Sequence, residues 1–249
     1  MNDDVSLAPH DIAALVAPAI DRIFLAVMAA GHAYGGAELS QRYGGPAATG
    51  FLVDFRTRAA APGGTVSGAG FAAVTRYRDP VECQRVLDKQ VAHAMLCRER
   101  DGGFYATDRG RSFLTELYGL HAQITREIWD GHGDRVARLV DAFGVLVTAA
   151  SADGGEAFHA VAPPYEPDGT PAGVLLLNRL GALRHHRADA HAAAWSAAGH
   201  SPRSIADLPS GPQRLTIELE TNRRAAGPYA ALAPAERLTL LADLAALPG

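Results

Sequence analysis

The segment from Val174 to Trp195 constrains this chain more than any other. Its opening, Val174-Leu175-Leu176-Leu177, is apolar on every side, so the helix it predicts starts inside a core. At about 100° per residue, Leu176, Leu180, Leu183, Ala190 and Ala194 share one stripe. Arg187 and His191 fall on that same stripe, and Arg184 lies at its edge. A guanidinium and an imidazole on an apolar face are costly unless something pairs them. The helix therefore carries either a closed polar network or the wall of a pocket that receives a polar ligand.

The chain has 249 residues, 48% hydrophobic and 20% charged, which suits one large globular domain or two small ones. Few aromatics and many alanines favour helices over sheets. The net charge is −4, and Lys89 is the only lysine. An arginine bias of this kind is explained more simply by GC-rich coding than by selection for bidentate anion contacts. Cys83 and Cys97 are the only cysteines and fall on one predicted helix. At 1.5 Å rise they stand roughly 21 Å apart, too far for a disulfide. Both are expected as free thiols of a reducing compartment, and without a CxxC spacing they do not suggest zinc. Met-Asn-Asp-Asp is an acidic start, wrong for a secretory signal. The apolar run from Ile12 to Ala30 contains Pro18, Asp21 and Arg22, which argues against a membrane span. A cytoplasmic location with no membrane association is expected.

Further along, the pattern predicts a mainly α fold: a winged helix-turn-helix with one short β-hairpin wing, plus a C-terminal helical region. Residues 9–30 read as helix, kinked or broken at Pro18. Short helices follow near 37–43, from Pro46 to before Pro62, and around 67–77. Asp79-Pro80-Val81-Glu82 places Asp at an N-cap, Pro at the first turn and Glu at the third position, opening a helix to about Leu96. Asp101-Gly102-Gly103 between two short runs predicts a hairpin wing near 98–107. A long helix then runs to Asp130, with Phe113, Leu117, Leu120, Ile124 and Ile128 on one face. Residues 1–133 form one region and 134–249 a second, with a central helix over 171–199, the two packed as one unit. The Gly/Pro-rich stretch 151–171 is long enough to be a lid or a boundary. Helices are also expected over 134–150, after Ser201-Pro202, over 212–226 and after Pro234.

Three segments carry a family resemblance: Phe51-Leu-Val-Asp-Phe-Arg-Thr-Arg-Ala-Ala-Ala-Pro-Gly-Gly, Leu183-Arg-His-His-Arg-Ala-Asp-Ala-His and Glu218-Leu-Glu-Thr-Asn-Arg. They resemble, in the same order, the G-Y-F-x-G-R-A-A-P-L-G, L-R-E-H-R-G-D-G-H and E-x-x-T-D-R segments of uncharacterised helix-turn-helix proteins from high-GC bacteria, of the MarR-like winged-helix class. The match spans most of the chain, and the middle segment is the most specific. His185 stands where that family has Glu, Asn222 where it has Asp, and the stretch between the last two segments is shortened. The resemblance implies a winged-helix architecture and no particular activity.

Each of the three segments puts polar groups beside apolar ones on a helical face. Arg58 is expected near Phe51 and Phe55 with Asp54 alongside, Arg187 and His191 among the leucines, and Glu218 and Asn222 near Leu215 and Leu219. Three such helices can converge on one cavity. The plainer readings are a helix-end salt bridge for Arg58, a buried network for Glu218 and Asn222, and a satisfied core histidine for His191. His191 is the candidate general base or acid, and Arg58, Arg184, Arg187, Glu218, Asn222 and Asp54 are candidate substrate-binding groups. His185 and Asp189 have the spacing of half a metal site, beside His186, but no further ligands accompany them, so no metal is expected. No GxGxxG, Walker loop, GxSxG or HExxH occurs, and no cofactor is expected.

Three functions are weighed. The first is a small-molecule site on a winged-helix scaffold, in its catalytic form a non-redox lyase, isomerase, cyclase or hydrolase acting on a small anionic or carbonyl-bearing metabolite. The second is a ligand-responsive DNA-binding regulator of MarR-like type. Its groove helix would carry Glu82, Arg85, Asp88 and Lys89, and its wing Arg98, Glu99, Arg100 and Asp101; both sum to zero, poor equipment for phosphates. The third is a non-catalytic, ligand-sequestering protein. A homodimer is compatible with each.

Overall fold

The computed structural model describes residues 7–249. The chain is mainly helical, with 69% helix and 3% strand, thirteen α-helices and a small antiparallel sheet among the described residues. Helix α1 (Pro9–Ala30) runs through Pro18 without a break. One face buries Ile12, Val16, Ile20, Ile23 and Val27, and that packing outweighs the hydrogen bond lost at the proline. This buried face makes α1 a core helix of the fold, although its length and apolarity alone would suit a membrane span.

After α2 (Gly36–Arg42), the expected single helix from Pro46 is two, α3 (Pro46–Asp54) and α4 (Arg56–Ala59). Strand β1 (Thr65–Val66), α5 (Gly68–Val74) and α6 (Pro80–Ala92) follow, then β2 (Leu96–Arg98) and β3 (Phe104–Ala106). Ser67 caps α5 by accepting from the Gly70 amide at 3.0 Å, and Asp79 caps α6 by accepting from Glu82 at 2.9 Å. The hairpin turn uses Gly102 at φ 85°, a conformation that L side chains rarely adopt. The sheet order is β1-β3-β2, with Thr65 opposite Tyr105 and Leu96 opposite Ala106. Strand β1 was not expected, since two residues are too short to show an alternating pattern.

Helix α6 ends at Ala92 rather than near Leu96. Ala94 takes a positive φ of 55°, and the Met95 amide bonds back to the Gln90 carbonyl at 3.0 Å. Cys97 therefore lies on β2, and the two cysteines do not share a helix; both are free thiols.

The remaining helices are α7 (Asp108–Ile128), α8 (Gly133–Ala150), α9 (Glu156–His159), α10 (Ala172–Ala197), α11 (Pro202–Ala206), α12 (Pro212–Arg224) and α13 (Pro234–Ala246), with a 3-10 turn over Gly227–Ala231. Two large apolar clusters organise them. One joins Phe51, Phe55, Phe71, Phe104 and Phe113 with Leu87 and Leu114. Its rings meet edge to face, as in Phe51–Phe71 at 4.8 Å and Phe55–Phe104 at 5.4 Å. The other joins α1, α8, α10 and α13 through Ile23, Phe143, Leu146, Leu176, Leu180 and Leu244. So α1, first in sequence, packs with the C-terminal helices. Helix α7 spans the two clusters, with Leu114 in one, Ile124 in the other and Leu120 against both.

Residues 151–171, expected as a lid or boundary, are tied down at both ends. Asp189 accepts from the amides of Ala157 (3.3 Å) and Phe158 (2.9 Å), which holds α9 on α10. The Thr57 hydroxyl donates to the Val161 carbonyl at 2.8 Å, the Tyr165 amide donates to Thr57 O at 2.8 Å, and Arg179 grips Glu166. A Cβ at residue 155 would stand 2.8 Å from Asp189 Cγ, so the close seating of α9 requires Gly155.

Candidate functional site

Helices α10 and α12 pack along one another and, with α1 and α5, enclose a cleft of about 740 Å³. Besides Arg184, four expected residues converge on it: Arg187 and His191 from α10, Glu218 and Asn222 from α12. Arg187 Nη1 donates to Asn222 Oδ1 at 2.9 Å and Nη2 to Glu218 Oε2 at 3.2 Å. Helical spacing causes this match, since residues 187 and 191 lie one turn apart, as do 218 and 222.

His191 has a defined tautomer. The Thr221 hydroxyl donates its proton to the Ile217 carbonyl at 2.8 Å, so at 3.1 Å from His191 Nδ1 it accepts. Nδ1 therefore carries the hydrogen and Nε2 keeps its lone pair. Glu218 Oε1 stands 3.7 Å from the same Nδ1. Burial lowers the His191 pKa below the usual histidine value; Glu218 opposes that shift, and Arg187, Arg214 and Arg76 add to it. The result is an imidazole that is neutral at pH 7 with a carboxylate behind it.

The other expected residues divide. Arg184 reaches the cleft but is committed, its Nε donating to Asp21 Oδ1 at 2.6 Å while its guanidinium lies 4.5 Å from the Phe24 ring centre. Asp54 is absent from the cleft; it borders a second cavity and pairs with Arg78 at 2.9 Å. Arg58 borders neither cavity and turns outward, its Nε donating to the Thr65 carbonyl at 3.1 Å. On α4 it is Arg56, two residues earlier and about 200° around the helix, that points inward. Leu215 and Leu219, expected inward on α12, are 61% and 48% exposed; Ile217 and Thr221 form its buried face.

His185, His186 and Asp189 serve separate ends. His185 Nδ1 donates to the Gly181 carbonyl at 2.8 Å, His186 Nε2 meets Asp153 Oδ1 at 2.9 Å, and Asp189 pairs with Arg76 as well as capping α9. Among the described residues no three His, Cys, Asp or Glu side chains gather as a metal centre would require.

Sequence reading missed Arg56, Arg76, Tyr77 and Asp21. Tyr77 accepts from Trp195 Nε1 at 3.0 Å and, with Arg76, borders the cleft from the turn after α5. That turn carries no periodic signal. Arg56 did have one: it stands four residues after Leu52 and three before Ala59, both buried.

No family model matches the chain, and no curated protein or solved structure shows significant similarity to it.

Proposed function

We propose that this chain is a small-molecule-binding protein on a winged-helix scaffold, whose cleft performs non-redox acid–base chemistry on a small anionic or carbonyl-bearing metabolite. The observation that carries this reading is His191. Its Nδ1–H is held by Thr221 with Glu218 behind it, and Nε2 is left as an unprotonated base on the cleft wall. A proton taken at Nε2 gives an imidazolium that Glu218 stabilises from 3.7 Å. Arg187, held in place by Glu218 and Asn222, retains further N–H donors for a carboxylate or a developing oxyanion. The same groups handle the proton in elimination, isomerisation, cyclisation or hydrolysis.

The winged-helix part of this reading assigns the unit to the succession α3–α4, β1, α5, α6 and the β2–β3 hairpin. Charge speaks against use of that unit on DNA. On α6, Arg85 pairs with Glu82, and wing Arg98 pairs with Asp88 of α6 at 2.6 Å. These cations neutralise protein carboxylates instead of phosphates.

The test is a thermal-stabilisation screen of small carboxylates, ketones and lactones, with native mass spectrometry for a co-purified ligand, on wild type and His191→Asn. Asparagine keeps one hydrogen bond but exchanges no proton near neutral pH. Hits should bind both proteins and turn over only on wild type. Full turnover by His191→Asn removes the acid–base role, and binding without turnover by either protein makes the chain a sequestering protein. Sub-micromolar binding to random duplex with a steep salt dependence would establish the regulator reading instead.

A further inference from the structure

The second cavity, about 210 Å³, shares Val74, Arg184 and His185 with the outer cleft. Its floor is Arg56, which is only 4% exposed. Arg56 Nη1 donates to the Val53 carbonyl at 3.2 Å, and the guanidinium sits 5.5 Å from the Phe24 ring centre. Arg56 Nε is buried with no partner, and Nη2 bonds no described protein group. The Nε–Nη2 edge, the two-pronged side of the fork, is thus uncommitted. On α10, Gly181 faces this group: a Cβ there would stand 3.1 Å from the Phe24 ring and in ordinary contact, 3.8 Å, with Arg56 Nη2.

No carboxylate stands at salt-bridge distance from Arg56; Asp54, which borders the same chamber, is paired with Arg78 and acts on Arg56 only at longer range. The other two arginines of the chamber are matched, Arg78 with Asp54 and Arg184 with Asp21. Tyr118, His121 and His185 add no charge at pH 7: burial pushes Tyr118 up to about 12 and His121 down to about 3, and burial also lowers His185. Burial depresses Arg56 too, yet a guanidinium keeps its charge in proteins. An isolated buried cation is among the most costly groups a fold can hold. Asn178, on the same wall, leaves its Oδ1 buried and unpartnered as well.

We propose that this chamber is a binding subsite for one small monocarboxylate, its two oxygens on the Nε–Nη2 edge of Arg56 and its short alkyl chain against Phe24, Met28, Val74 and Val161. One unmatched guanidinium calls for one negative charge, and the planar fork fits a carboxylate side-on. A phosphate dianion would bring two negative charges to a chamber with one guanidinium that lacks an ion-pair partner. The subsite does not depend on the acid–base reading of His191.

Isothermal titration of the full chain at pH 7 with butanoate, its neutral isostere butanamide, and inorganic phosphate tests this. Butanoate should bind at least about tenfold more tightly than butanamide, and phosphate should not compete. Arg56→Met should abolish butanoate binding, while His191→Asn should leave it unchanged, which separates this subsite from the proposed chemistry. If Arg56→Met does not fold, wild type labelled with ¹⁵N-arginine takes its place: butanoate should move one buried Nε–H resonance and butanamide should not. Equal binding of butanamide, binding of phosphate in place of butanoate, retained binding in Arg56→Met, or an unmoved arginine spectrum would each overturn the assignment.

Discussion

Arg187 in the outer cleft gives donors to Glu218 and Asn222, whereas Arg56 in the inner chamber gives one to a carbonyl and meets no carboxylate. The first is about a quarter exposed and the second almost wholly buried. Water screens Arg187, so its pairing contributes little stability and mainly fixes geometry beside His191. Arg56 is almost wholly buried, with only the Val53 carbonyl and the Phe24 ring in contact with its guanidinium, so its charge is a standing cost that a bound anion can relieve. One cavity holds a guanidinium paired with a carboxylate, and the other a guanidinium without an ion-pair partner.

The largest expected effect that separates the cavities is on chemistry. His191→Asn should lower turnover of any substrate found by about 10²–10⁴-fold and leave the melting temperature nearly unchanged. A small rate effect would make the outer cleft a binding surface like the inner one. Next in size is Asp189→Ala, which leaves Arg76 without its carboxylate and α9 without its cap. Both members of that pair are 14% exposed, so the loss should be about 3 kcal/mol in urea denaturation. A loss under about 1 kcal/mol would show that the tie between 151–171 and α10 is loose.

Smaller, and opposite in sign, are the two arginine substitutions. Arg56→Met should raise stability in the absence of ligand by roughly 1–2 kcal/mol, while Arg187→Met should lower it by under about 1 kcal/mol. Shifts of the same sign would erase the contrast between a matched and an unmatched guanidinium. The smallest effect is a change in titration. His191 should titrate below the usual histidine value, because burial outweighs the charge of Glu218. Glu218→Gln removes the group that favours imidazolium, so the midpoint should move lower still, as read by NMR of the imidazole. A midpoint that rises would mean that Glu218 does not face His191 in solution.

Much of the outer cleft was legible in the sequence. An arginine and a histidine one turn apart on a leucine stripe, and a glutamate and an asparagine one turn apart on another helix, are local patterns with the helical period. The cap at Asp79 and the turn at Gly102 were equally readable, because a cap or a turn is decided within four residues. The inner chamber was not read correctly. Arg58 drew attention through its segment, yet the break between α3 and α4 at Phe55 directs Arg56 inward and Arg58 to the Thr65 carbonyl. Leu215 and Leu219 looked like the core face of α12, but α10 meets the face bearing Ile217 and Thr221.

By itself, then, the sequence determined the mainly helical character, most helix starts, the hairpin and the pairing of chemistry within α10 and within α12. These are contests between neighbours on one helix or turn, where spacing alone decides which side chains meet. Only the tertiary structure decided that α1 joins the C-terminal helices, that β1 pairs with β3, that Cys97 leaves its helix, and that Arg56 is buried without an ion-pair partner. Each of those outcomes depends on which distant surfaces bury the most apolar area against one another, and local periodicity does not encode that choice.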